Sequence, residues 1–122
     1  MCEKILYNKY VLFLNIFIMK NISISVKGVE MKESEELKIR EKVGHLKTFD
    51  PSLEGPAAKF FVEIHKDETK DSHDSLECKI SIVASHVTFH ASSRGGSLLE
   101  TVDLTCPKLS IQIKKRREKQ KG

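Results

Sequence analysis

The chain has 122 residues, 39% of them apolar and 31% charged, with a formal net charge of +4. That length allows one modest domain, and the composition is that of a soluble globular chain rather than a membrane or disordered one. Cys2, Cys78 and Cys106 are the only cysteines and no two are close in sequence. This excludes a disulfide scaffold or a Cys-x-x-Cys site and suits a reducing, cytoplasmic setting.

Residues 1–18 stand apart from the rest. Tyr10-Val11-Leu12-Phe13-Leu14 and Ile16-Phe17-Ile18-Met19 form an apolar stretch behind Lys4 and Lys9. It is shorter than the roughly 20 apolar residues a bilayer crossing needs, and no small-x-small cleavage site follows it. The expectation is an N-terminal extension outside the fold, with Met19 opening a single domain over 19–122.

From there the pattern reads strand, helix, three strands, helix. Ile22, Ile24 and Val26 alternate with Ser23, Ser25 and Lys27, the period of a half-buried strand, which Gly28 ends. From Lys32 the spacing becomes helical, with Ile39, Val43 and Leu46 on one face and Asp50-Pro51 as the stop. Glu33, Glu35 and Glu36 early, and Lys42, His45 and Lys47 late, complement the helix dipole. Phe60, Val62 and Ile64 give a second strand, and the polar run 66–74 a hairpin loop. Leu76, Cys78, Ile80 and Ile82 give a third, and after a tight connection near Ser85, Val87, Phe89 and Ala91 give a fourth. Arg94-Gly95-Gly96 reads as a turn and Ser97 as the cap of a last helix, striped by Leu99, Val102, Cys106, Leu109 and Ile113. Pro107 inside that helix predicts a kink, because the stripe continues in register across it. The expected fold is α+β: a βαβββα two-layer sandwich, its four-stranded sheet carrying both helices on one face.

Little in the sequence offers catalysis. His86 and His90 would lie about 13 Å apart on a strand, too far for one metal ion. His73 with Asp71 and Asp74 is a solvated loop cluster, and neither a nucleophile elbow nor a phosphate-cradling glycine loop is present. No catalytic residue, metal or cofactor is expected. Phe60, Phe61 and Phe89 read as core rather than as a base-stacking row.

Charge position is more informative. Residues 108–122 hold seven basic side chains and one acid, a net +6, while the other 107 residues hold 14 basic and 16 acidic, a net −2. Such an end suits a polyanionic partner. Lys108, Gln112, Lys115 and Lys119 share one flank of the last helix, spaced to follow a phosphate backbone. Lys38, Lys42 and His45 share a face of the first helix and would extend this surface if the helices pack side by side. The bland reading of both sets is a solvated helix exterior.

The run Asn21-Ile22-Ser23-Ile24-Ser25-Val26-Lys27-Gly28-Val29-Glu30 resembles the first strand and helix entry of the ribosome hibernation-promoting factor family, which includes ribosome-associated inhibitor A and was once called sigma-factor modulation protein. Lys42-Val43-Gly44-His45-Leu46 is similar to that family's Lys-Leu-x-Lys-Leu. Thr101-Val102-Asp103-Leu104, then Lys108-Leu109 and Gln112-Ile113-Lys114-Lys115, resemble its Ala-Ile-Asp-Leu followed by Lys-Leu-x-Arg-Gln-Leu-x-Lys. Ile111 replaces a usual Arg, Leu99 a usual aromatic residue and Pro107 a usual acid.

The resemblance implies a βαβββα fold that binds ribosomal RNA of the small ribosomal subunit, blocks the messenger and transfer RNA channel, and inhibits translation under stress without catalysis. It assigns RNA contacts to Lys42, Lys108, Gln112 and Lys115, with His45 in place of a lysine. Lys38 joins them by helix face, Lys119 by flank, and Lys114, Arg116 and Arg117 by charge. No DNA or membrane partner is expected, and ribosome pairing would need a second factor. The alternative is a general double-stranded RNA-binding or protein-interaction module using the same basic helix.

Overall fold

The computed structural model describes residues 21–50, 53, 57–70, 73–84 and 87–121, with side chains to Glu118. The expected extension over 1–18 lies outside the described residues. In chain order the elements are β1 (Ile22–Lys27), α1 (Glu33–Gly44), a 3-10 helix (His45–Phe49), β2 (Lys59–Lys66), β3 (Leu76–Val83), β4 (Thr88–Gly95) and α2 (Leu98–Lys121). The sheet order is β1-β2-β3-β4, with β1 parallel to β2 and the later pairs antiparallel. A parallel pair needs a long crossover, which α1 supplies, whereas the antiparallel pairs need only hairpins.

Register converts the alternations into one buried face. Ile22, Phe60, Ile82 and Phe89 lie in one cross-strand row, and Ile24, Val62, Ile80 and Ala91 in the next. Ile39, Val43 and Leu46 cover them from one side, and Leu98, Val102, Leu109 and Ile113 from α2, in a single core. Among the described residues, nothing covers the other face of the sheet. Phe61, expected in the core, belongs to that open face and is 41% exposed, because it is out of phase with Phe60 and Val62.

Three local readings need correction. First, α1 ends at Gly44 and tightens into a 3-10 turn rather than running to Asp50. Gly44 is a poor helix former, and the tighter turn still buries Leu46. Second, Arg94 and Gly95 are strand rather than turn, paired with Glu77 and Leu76. Arg94 is held there by Glu77 at 3.0 Å and Asp67 at 2.9 Å. At Gly95 an added Cβ would come within 3.1 Å of the Thr101 methyl group, so α2 approaches closely enough that a side chain there would have to push Thr101 and Glu100 aside.

Third, the buried stripe of α2 is Leu98, Thr101, Val102, Thr105, Leu109 and Ile113, while Leu99 and Cys106 are half-buried. Apolar counting missed the threonines. Their hydroxyls donate to the backbone carbonyls of Leu98 and Thr101, each at 2.7 Å, and so are buried at little cost. Through Pro107, on its exposed side, α2 continues as one helix, as the stripe running on across the proline implies. The amide that proline lacks is therefore missing where solvent reaches.

Ser97 caps α2 as expected, its Oγ accepting from the Glu100 amide at 3.2 Å. Gly28 has φ +79°, and a Cβ there would lie 3.2 Å from that of Lys66. Gly28→Ala should therefore destabilise the fold by about 1–2 kcal/mol, read from chemical denaturation.

Candidate nucleic-acid interface

α2 divides the candidate residues between two flanks. On the flank over β4, Lys108 Nζ donates to the Ser92 carbonyl at 2.8 Å. Gln112 donates to the His90 carbonyl at 2.8 Å and accepts from the His90 amide at 3.4 Å. These two side chains, read from sequence as facing RNA, thus reach down to the sheet edge. Lys115 follows them by helical spacing and is exposed.

On the opposite flank α2 meets α1 and the 3-10 turn. Lys42 Nζ donates to Asp103 at 2.5 Å, with both side chains partly exposed. Lys114 Nζ lies 4.7 Å from the centre of the Phe49 ring, and Arg117 donates to the Phe49 carbonyl at 3.0 Å. The exposed His45 meets the same ring edge-on at 5.8 Å. Between the helices lies a groove of about 500 Å³ lined by Lys42, His45, Phe49, Cys106, Pro107 and Ser110.

The helices do pack side by side, but α1 and the 3-10 turn bring Lys42 and His45 to the flank of Lys114 and Arg117, not to that of Lys108 and Gln112. Asp103 and Phe49 are the members that sequence reasoning did not assign. Their partners, Lys42 and Arg117, are 61 and 68 residues away, beyond any local pattern. Lys38, Lys115 and Arg116 have no hydrogen-bond or ion-pair partner among the described residues. The side chain of Lys119 lies outside the described residues. Leu104 and Ile111, 47% and 54% exposed, stand between the two flanks on the solvent side. The helix layer therefore presents an apolar ridge with cations on either side.

Cys106 lies at the groove with its thiol pushed up to about 12, mainly by burial. It stays protonated at neutral pH, and only thiolates react readily. Cys106 should therefore resist iodoacetamide at pH 8 in the native protein and react in urea, a contrast that mass spectrometry resolves. Because unfolding restores an ordinary thiol pKa near 9, the contribution of this group to stability is full below pH 9 and falls as pH rises towards 12.

Among the described residues, no three His, Cys, Asp or Glu side chains gather as a metal site, and no helix is long and apolar enough to cross a membrane. His86 lies outside the described residues, and His90 Nδ1 is 2.9 Å from Ser81 Oγ.

Residues 22–121 match the family model described as Sigma 54 modulation protein / S30EA ribosomal protein. The N-terminal domain of Protein Y from Thermus thermophilus is similar in structure, with a TM-score of 0.62 and 14% identity over 78% of this chain and 97% of that one. A ribosomal subunit interface protein from Coxiella burnetii is similar at TM-score 0.61 and 17% identity, over 80% and 97% of the two chains. At such identities these structures speak for the fold alone. No curated protein matches significantly in sequence.

Proposed function

The chain belongs to the Sigma 54 modulation protein / S30EA ribosomal protein family, and from that premise we propose that it is a ribosome-binding hibernation factor. It binds ribosomal RNA of the small subunit in the cytoplasm, occupies the messenger and transfer RNA channel, and inhibits translation under stress by steric exclusion. No catalytic step is involved, and a second factor brings about any pairing of ribosomes.

The observation that supports this reading is the solvent side of the helix layer. Lys38 and Lys115 are exposed there with no hydrogen-bond or ion-pair partner among the described residues, and Lys42, His45, Lys108 and Lys114 belong to the same layer. Arg116, half-buried, follows Leu109 and Ile113 on the sheet-facing side. The tethers on Lys42 and Lys108 are exposed single contacts, worth about 1 kcal/mol or less each, and a phosphate oxygen can replace them. An A-form duplex offers such phosphates along a shallow minor groove, so shape and charge rather than base edges would carry recognition.

A general double-stranded RNA module would use the same cations. Competition separates the two. Protein bound to purified small subunits should stay bound against a hundredfold excess of arbitrary RNA duplex. Displacement by stoichiometric duplex would favour the general module.

A further inference from the structure

Lys108 and Gln112 end on β4, which among the described strands of the antiparallel region is the one with an unpaired side. β4 is the last strand of the sheet, and its pairing with β3 uses one of its two edges. The other edge exposes the backbone groups of alternate residues, among them His90 and Ser92. An open antiparallel edge is a template for another strand.

Gln112 meets this edge as a strand would. Its side-chain amide both donates to the carbonyl and accepts from the amide of the same residue, His90. Those are the two bonds that a partner residue exchanges in a hydrogen-bonded antiparallel pair. One turn earlier, Lys108 takes the next outward carbonyl, that of Ser92. The far side of the sheet is treated alike: Arg40 of α1, held by Glu36 at 3.0 Å, donates to the outward carbonyl of Ile22 on β1 at 2.6 Å.

We infer that Gln112 and Lys108 close the β4 edge against strand addition, and that without them the edge pairs with β4 of a second copy of this chain. The occupant follows from the strand itself. Antiparallel pairing of two β4 strands about Ala91 sets His90 against Ser92 and Thr88 against Arg94, so no two like charges face each other. Such a pair is isologous and closes as a dimer rather than a fibre. The inference does not depend on ribosome binding.

Three measurements test it. Gln112→Ala combined with Lys108→Ala should show a concentration-dependent doubling of mass by light scattering, whereas the wild type and Lys115→Ala should not. Adding Ser92→Pro, which removes an outward amide without touching the pairing to β3, should return the double variant to a monomer. In hydrogen exchange, the His90 amide should exchange at least about tenfold faster in Gln112→Ala than in the wild type, since its bond partner is gone. A folded double variant that stays monomeric at millimolar concentration overturns the inference. So does an unchanged His90 exchange rate in Gln112→Ala. Should the double variant fail to fold, the single-variant exchange result decides.

Discussion

Replacing Lys114, Lys115 and Arg116 together by glutamate should weaken binding to small ribosomal subunits by about 100-fold at 100 mM salt, or about 2.7 kcal/mol. All three belong to the C-terminal half of α2, and Lys115 and Arg116 have no ion-pair or hydrogen-bond partner among the described residues to lose. Lys114 gives up its approach to Phe49, an exposed cation–π contact worth about 0.5–1 kcal/mol. The variant should therefore fold as the wild type does, and its far-UV circular dichroism checks this. Its salt dependence is a second readout: each lost phosphate contact should reduce the log–log slope by about 0.7–0.9. Binding with unchanged affinity and slope would place the interface elsewhere on the molecule.

Phe60→Ala should destabilise the protein by about 3–5 kcal/mol, a large share of the 5–15 kcal/mol that a domain usually has. Phe60 is fully buried, sits between Ile22 and Ile82 in the sheet, and carries the ammonium of Lys47 5.4 Å from its ring centre. Truncation leaves a cavity under α1 and removes that ring from Lys47, itself only 7% exposed. Phe61→Ala, one residue on, should cost less than about 1 kcal/mol because that side chain belongs to the open face. Urea denaturation of the two variants should show a midpoint shift of at least about 2 M for the first and little for the second.

That contrast shows where the sequence was legible. Alternation located every strand, because a sheet with one covered face imposes period two on each of them; Phe60 and Phe61 were separable only by which phase the other apolar residues kept. Elements were harder to bound where glycine or threonine carried the structure. Gly95 looked like a turn residue, yet it is a strand residue under a helix close enough to crowd a Cβ. Thr101 and Thr105 counted as polar in the periodicity, although their hydroxyls return to the helix backbone and leave only methyl groups to pack.

The candidate interface was legible in composition and illegible in contact. The run of basic residues after Lys108 is visible in the sequence at once. What each side chain touches depends on residues brought from elsewhere in the chain: Asp103 to Lys42, Phe49 to Lys114 and Arg117, and the backbone of His90 and Ser92 to Gln112 and Lys108. Helical spacing put Lys108 and Gln112 on one flank, and both reach the same strand. It carried no sign that this flank overhangs a sheet edge.

Sedimentation of a stressed-cell lysate through a sucrose gradient, with the native protein detected across the fractions, tests the central claim most directly. The protein should travel with small subunits and intact ribosomes in 100 mM salt and move to the top of the gradient at 500 mM, as electrostatic RNA binding requires. Protein found only at the top of the gradient in low salt, while ribosomes sediment normally, would contradict it.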